Sequence, residues 1–279
     1  MTQRILPKLD IGARPGVRSD IAVGAINRWM PDLQARAGED EATISVLDVI
    51  GEDFWGEGVT AKRIAAALRQ IGPRDVTVTI NSPGGDVFEG IAIYNLLAEH
   101  PAKVTVKVLG LAASAASIIA MAGDQILIGR AAFLMIHNSW VMAAGDRHAL
   151  RAVSEWLEPF DAAMAGVYSA RTGMDDGKIA GLMDDETWLN GQRAVDDGFA
   201  DGYLDAGEVG VGDGESKASA LRAERKFDLV AAKAGMARAD ARALLAEVKG
   251  GKPGAAPTGM SGAAELEAGL EEIRALLKT

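Results

Sequence analysis

The sequence contains no cysteine, which excludes disulfide bonds and thiolate metal sites. This absence fits a reducing cytoplasm, where we expect the protein to be found. Long apolar runs are also missing. The longest uncharged stretch, residues 108–123, is rich in small residues and too short to cross a membrane. The first residues, MTQRILPKLDIGARPG, lack the apolar core of a secretory signal.

Basic residues are fewer than acidic ones, 29 against 39, so the net charge is −10. Such a charge argues against nucleic acid or an anionic membrane as a partner. Hydrophobic residues make up 48% of the chain and charged residues 24%, as is usual for a globular protein. The glycine-rich segment NSPGG lacks the Lys-Ser/Thr pair of a phosphate-binding loop. We therefore expect neither a cofactor nor a metal.

Composition and hydrophobic periodicity divide the chain into three parts. They are an irregular arm over residues 1–42, a main domain over 43–205, and flexible linkers with a helical tail over 206–279. Strands are predicted over 43–50, 76–80, 104–109, 125–128 and 133–136. Helices are predicted over 58–71, 87–99, 112–123 and 147–172, the last interrupted at Pro159. Strands that alternate with helices at this spacing indicate an α/β fold whose largely parallel sheet is flanked by helices.

The tail is predicted to form helices over 221–234 and 239–248, with a local excess of basic residues. Its last segment repeats apolar residues at heptad-like spacing over residues 266–277. Two heptads are too few for a coiled coil. The pattern favours an amphipathic helix that packs on the fold or orders on a partner.

Ser114 is the first candidate for chemistry, because it lies among tiny residues where a strand is predicted to pass into a helix. Small neighbours allow a peptide to approach, and free N–H groups at a helix start can stabilise an oxyanion. Segments rich in alanine and serine are also common packing devices. Taken alone, Ser114 is more often structural.

His137 is the second candidate, because it ends the predicted strand FLMI at the sheet edge where α/β proteins place their sites. A single histidine at a strand end is usually structural. His137 is a candidate because the sequence also contains Ser114, for which it could act as the base. The other two histidines are less suitable. His100 follows a predicted helix, which it is expected to cap, and His148 lies in a charged helix.

Four ordered blocks resemble the signatures of the ClpP-type serine peptidases: INSPGGDVFEGIAIYNLL, GLAASAASIIAMAG, AAFLMIHN and ETWLNGQRAVDDGFAD. Their form is most similar to the phage-encoded branch, the ClpP-related head maturation (prohead) proteases. The resemblance covers roughly residues 43–204. It implies a ClpP/crotonase-like fold of repeated ββα units, with the tail as a helical appendage.

The resemblance also implies roles for individual residues. Ser114 matches the nucleophile and His137 the general base, while the N–H groups of Gly85 and Ala115 match the oxyanion donors. Cellular members have an aspartate at the position of Glu186. We favour Glu186 as the third triad member, with Asp185 as the alternative. A Ser-His pair without an acid is a third possibility.

The resemblance implies a homo-oligomeric ring that cleaves proteins, here capsid or scaffold proteins during phage head maturation. Dependence on an ATPase is not expected, since the first 40 residues do not resemble that family's start. Three alternatives stay open. They are an enoyl-CoA hydratase-like enzyme on the same fold, a Ser-Lys peptidase using Lys178, and a non-catalytic scaffold that binds partners through its tail.

Overall fold

A computed structural model of the chain describes residues 7, 18–19, 21–35, 42–52, 58–205, 207–211 and 215–250. Two compact units divide the chain between Lys226 and Phe227. The heptad-like stripe predicted over residues 266–277 lies outside the described residues. Within the described part of the chain, no helix is both long and apolar enough to cross a membrane.

Short strands and helices alternate along most of the described chain. The strands are β1 (Arg18–Ser19), β2 (Leu33–Ala35), β3 (Thr43–Val46), β4 (Val76–Ser82), β5 (Val104–Ala113), β6 (Gln125–Ile128), β7 (Phe133–Ile136), β8 (Val141–Met142), β9 (Thr187–Asn190), β10 (Gly202–Tyr203) and β11 (Val209–Val211). The helices are α1 (Val23–Arg28), α2 (Ala61–Ile71), α3 (Val87–Ala98), α4 (Ala115–Ala120), α5 (Arg147–Thr172), α6 (Asp176–Asp184), α7 (Gly191–Asp196), α8 (Glu215–Lys233) and α9 (Arg238–Gly250).

The main sheet has seven strands. Five follow the order β10-β6-β5-β4-β3, while β7 pairs with β5 and β9 with β7. All these pairs are parallel except β7–β9. Every residue of β4 is buried, as expected for a parallel strand covered on both faces. The predicted α/β class, with a largely parallel sheet flanked by helices, is confirmed.

Strand β5 organises the sheet because it pairs with two different strands on one side. Its first half pairs with β6 through Thr105 to Val108, and its end pairs with β7 through Leu111 to Ala113. The strand is therefore four residues longer than the predicted strand over 104–109. This extension carries the chain to Ser114 as a strand rather than as a helix.

Two helices differ from their predicted bounds for identifiable reasons. Helix α2 begins at Ala61 because the hydroxyl of Thr60 accepts a hydrogen bond from the Arg63 amide at 3.3 Å and caps the helix. Helix α5 continues through Pro159 without the predicted interruption. Pro159 and Glu155 are both exposed, so water can satisfy the carbonyl that the proline leaves without a donor.

Part of the predicted irregular arm is ordered. Helix α1 and Trp29, the residue that ends it, bury an apolar face formed by Ala25, Ile26 and Trp29. These side chains form a small apolar cluster with Leu111, Ala113 and Met135. The indole of Trp29 donates to the Asn81 carbonyl at 2.8 Å. Strand β2, which follows α1, pairs with β11 in the segment predicted to be a flexible linker. The weak periodicity of residues 1–42 did not predict this packing.

The start of helix α8 belongs to the first unit. Arg225, which is almost fully buried, forms an ion pair with Asp48 at 2.6 Å. Leu221 packs against the apolar cluster around Trp29. These contacts extend the first unit past residue 205, where the main domain was predicted to end. The second unit contains the remainder of α8 and helix α9.

Candidate active site

Ser114 occupies a sharp turn between β5 and α4. Its backbone has φ 56° and ψ −124°, a left-handed conformation that is uncommon outside glycine. The Ser114 amide donates to the Met135 carbonyl at 2.9 Å, which ties the turn to β7. The helix predicted over 112–123 is thus wrong at its start, because strand pairing continues through Ala113 and the helix begins only at Ala115.

Glycines allow the neighbouring backbone to approach this turn. A Cβ atom on Gly84 would lie 2.8 Å from the Ser114 Cβ and 2.6 Å from the Ala113 carbonyl oxygen. A Cβ on Gly90 of α3 would lie 2.8 Å from the Ala115 Cβ. Real side chains do not pack so closely, so the NSPGG segment and α3 approach the serine only because these residues are glycine.

His137 follows β7 and reaches across to the serine. Its Nε2 atom lies 2.7 Å from the Ser114 Oγ, so the hydroxyl can donate to the neutral ring. The other two histidines are elsewhere. The Nε2 of His100 lies 2.8 Å from the Arg74 carbonyl oxygen, and His148 is exposed on α5. The structure therefore brings together the two residues that the sequence analysis singled out.

Two opposing effects set the pKa of His137. Burial lowers the pKa because it disfavours the charged ring, and the carboxylate of Glu186 raises it. Burial is the larger effect, so the pKa lies below its ordinary value of about 6.5. The imidazole is consequently neutral at physiological pH and can accept the serine proton.

Gly85 and Ala115, the two residues expected to supply oxyanion donors, line the same cleft. The amide of Ile50 donates to the Gly84 carbonyl and the amide of Asp86 to the Ile50 carbonyl, both at 2.9 Å. These two hydrogen bonds use the residues on either side of Gly85. The N–H of Gly85 itself donates to no protein acceptor among the described residues. Ala115 begins α4, so its N–H has no partner within the helix. Both residues line the cleft beside Ser114.

Glu186 lies near His137. The antiparallel register of β7 and β9 ends with Ile136 paired to Thr187, so His137 and Glu186 are the residues just beyond the last pair. The carboxylate of Glu186 acts on the ring through its charge. Asp185 is the last residue before this position and caps the end of α6. Both acids therefore lie in the turn between α6 and β9 rather than on an extended segment.

The third acid in this row has a different partner. Asp184 accepts a hydrogen bond from the Asn138 side chain at 2.7 Å. Asp161 of α5 accepts one from the Ser139 amide at 2.6 Å, and burial raises the pKa of this carboxyl group. The two carboxylates therefore hold the two residues that follow His137. The sequence analysis missed both, because they lie 22 and 46 residues from their partners.

A buried pair of hydroxyl groups supports the serine from behind. Ser117 Oγ donates to the Ser114 carbonyl at 2.6 Å and lies 2.7 Å from the Tyr168 hydroxyl. Burial raises the pKa of Tyr168 far above physiological pH, so the phenol stays protonated. The serine spacing in ASAAS was a visible signal for Ser117. Nothing in the sequence pointed to Tyr168.

A cleft opens beside Ser114. Its lining includes Ser114, His137, Asn138 and Ser139, together with Gly85 and Ala115. The apolar lining includes Val87, Trp140, Met164 and Tyr168, of which Trp140 is 45% exposed at the rim. Lys178 is exposed on α6 and does not line this cleft, so the structure does not bring it to Ser114.

Comparison with known proteins gives one family match, in which the model for Clp protease matches residues 43–206. Proteolytic subunit 1 of the ATP-dependent Clp protease from Prochlorococcus marinus is 30% identical over 164 residues, covering 54% of this chain and 82% of that protein. The corresponding subunit 1 from Streptomyces avermitilis is 25% identical over 198 residues, covering 64% and 90%. The chloroplastic subunit 3 from Arabidopsis thaliana is 29% identical over 150 residues, and the chain spans 48% of its length.

Proposed function

Because this chain belongs to the Clp protease family, we propose that it is a serine endopeptidase with Ser114 as nucleophile and His137 as general base. The 2.7 Å contact between Ser114 Oγ and His137 Nε2 carries this proposal. A nucleophile within hydrogen-bond reach of a neutral imidazole is the arrangement that acyl transfer requires.

The reaction follows from the positions of these groups. Ser114 Oγ attacks the peptide carbonyl carbon while its proton passes to His137 Nε2. The N–H groups of Gly85 and Ala115 donate to the oxyanion that forms. The imidazolium then protonates the leaving amine, and the C–N bond breaks to leave an ester on Ser114. Water, deprotonated by the same imidazole, hydrolyses the ester and releases the second product.

A covalent probe tests the proposal independently of the natural substrate. We expect a fluorophosphonate to label the full chain once, at Ser114, with a mass increase detectable in the intact protein. The enzyme should also cleave fluorogenic peptides, preferring an apolar residue that fits the wall formed by Val87 and Met164. A chain that is folded but neither labelled nor active would reject the proposal and favour the scaffold alternative.

The pH dependence of kcat/KM is expected to report the His137 ring. Activity should rise with pH as the imidazole loses its proton, because only the neutral ring accepts the serine proton. Burial lowers the pKa of His137, so the midpoint should lie below about 6.5. The measurement is kcat/KM on a fluorogenic peptide between about pH 4.5 and 9. A flat profile, or a midpoint above about 7, would contradict a buried histidine base.

Glu186 is proposed as the acid that orients His137. Glu186→Gln keeps the shape of the side chain but removes the charge that stabilises imidazolium, so kcat should fall by more than about tenfold and by up to about 10⁴. Asp185→Asn is the matched control and should cost less than about tenfold. Steady-state kinetics on one peptide decide between them. A larger loss from Asp185→Asn would reverse the assignment.

The natural substrates are proposed to be capsid or scaffold proteins of an assembling phage head. This finer proposal is supported by the form of the sequence blocks around Ser114, His137 and Glu186. We expect full-length capsid and scaffold proteins to yield discrete fragments with the wild type and none with Ser114→Ala, as read by mass spectrometry. Cleavage of peptides but not of these proteins would confine the role to general peptidase activity.

Assembly and energy dependence are the remaining parts of the proposal. We propose a homo-oligomeric ring acting without an ATPase, whereas the relatives named above are described as ATP-dependent. Light scattering would give the subunit number. Digestion of a capsid protein by the purified chain alone, without nucleotide or a second protein, would support independence from an ATPase.

A further inference from the structure

Trp188 is the polar partner of the Glu186 side chain. Glu186 lies in the turn just before β9, and Trp188 is the second residue of that strand. The Trp188 Nε1 atom donates to a Glu186 carboxylate oxygen at 3.2 Å. The mechanism described above does not use the indole, although it touches the acid.

Helix α1 holds the Trp188 ring in place. The Arg28 guanidinium carbon lies 3.9 Å from the ring centroid, a cation–π contact. The helix backbone at Gly24 lies near both side chains, since a Cβ at this residue would be in ordinary contact with Trp188 Cζ2 at 3.7 Å and Glu186 Oε1 at 3.9 Å. The ring also packs on the apolar cluster of α1, which the Trp29 indole anchors to Asn81.

Glu186 needs such a partner. Its side chain is exposed, and its backbone has φ 45°, so neither burial nor a regular strand fixes its direction. An exposed glutamate without a partner populates several rotamers, most of which would move the carboxylate away from a fixed neighbour. A rigid indole donor limits this freedom.

We propose that Trp188 is a positioning residue: clamped by Arg28, its indole N–H holds the Glu186 carboxylate near His137. The proposal rests on the proposed role of Glu186 and adds a new part to the site. It makes α1, which lies outside the region matched by the family model, a support for the chemistry.

The charged groups around His137 make the effect measurable. Glu186 is the carboxylate that acts on the ring, while Asp184 and Asp161 are bound to Asn138 and Ser139 in the loop that follows it. A Glu186 side chain that is free to move away from the ring should therefore lower the pKa of His137. The hydrogen bonds of Asp184 and Asp161 should stay in place. The chain has only three histidines, so each can be followed by NMR with labelled histidine.

The experiment titrates the full chain as wild type, Glu186→Gln, Trp188→Phe and the double variant. We expect Glu186→Gln to lower the His137 pKa by roughly 0.5 to 1 pH unit, as for one charge at a partly exposed site. Trp188→Phe keeps an aromatic ring but removes the donor, and it should lower the pKa by roughly half as much. The double variant should match Glu186→Gln alone, because the indole acts only through the acid.

Trp156→Phe on α5 is the matched control and should leave the His137 pKa unchanged. The signals of His100 and His148 report whether each variant is folded. Arg28→Met removes the cation that lies over the Trp188 ring, so it should free the indole and, with it, the Glu186 carboxylate. An unchanged His137 pKa in folded Trp188→Phe and Arg28→Met would overturn the proposal. So would an effect of Trp188→Phe that persists undiminished in the Glu186→Gln background.

Fluorophosphonate labelling separates this proposal from the proposed function. If the chain is not a peptidase, wild type stays unlabelled, yet the NMR titration still tests the role of Trp188. If the chain is a peptidase, Trp188→Phe should slow labelling of Ser114 by roughly threefold or more near neutral pH. Labelling profiles that superimpose on wild type would count against Trp188 while leaving the peptidase intact.

Discussion

Ser114→Ala is expected to reduce kcat by about 10⁶, to the level of the uncatalysed background of this site. The alanine keeps the backbone turn and the 2.9 Å amide contact to Met135, so fold and assembly should be retained. What is lost is the oxygen proposed to attack the substrate carbonyl. The measurement is hydrolysis of a fluorogenic peptide by protein purified free of host proteases.

Ser154→Ala supplies the matched control, because this serine is exposed on α5 and lies outside the cleft. It should retain full activity. Circular dichroism and light scattering should show that both variants fold and assemble like the wild type. Residual cleavage by Ser114→Ala above about one tenth of the wild-type rate would exclude Ser114 as the nucleophile.

His137→Ala is expected to be nearly as damaging as the loss of the serine, since the hydroxyl then has no group to accept its proton. The two substitutions should not add. A Ser114→Ala/His137→Ala double variant should be no slower than Ser114→Ala, because the pair acts as a unit. Steady-state rates of the single and double variants on one peptide form the test.

His148→Ala is the appropriate control for this histidine, because it removes an imidazole that is exposed on α5. It should leave kcat and KM unchanged. Two results would exclude His137 as the base: a loss of less than about a hundredfold in folded His137→Ala, or losses that multiply in the double variant.

The sequence was sufficient for the parts of the fold that depend on local pattern. Runs of β-branched residues predicted the buried strands, and β6 and β7 have the predicted bounds. Strand β5 is different. Its last residues have the composition of a helix start, and only pairing with β7 makes them a strand. That pairing is between distant segments, so a local pattern could not predict it.

The site shows the same division. Ser114 and His137 could be singled out because each stands at the junction of two recognisable elements, and the structure brings their side chains to 2.7 Å; their catalytic roles stay a prediction. Which acid lies near His137, Glu186 or Asp185, depends on how β9 aligns with β7. Short blocks of sequence do not fix that alignment to within one residue. Other parts of the site depend on contacts between elements, such as those of Asp161 with Ser139 and of Tyr168 with Ser117. The contact of Trp188 with Glu186 is a hydrogen bond from the indole N–H. Composition gave no sign of these contacts.

The left-handed backbone of Ser114 has an evolutionary consequence. A non-glycine residue in this conformation destabilises the folded chain by about 1–3 kcal/mol, whereas glycine adopts it without strain. The greater freedom of glycine in the unfolded chain offsets only about 0.5–1 kcal/mol of that relief. Selection for stability alone would therefore favour Ser114→Gly. If the proposed peptidase function is correct, a lineage released from the need to cut peptides should lose Ser114 early and fold slightly better for having done so.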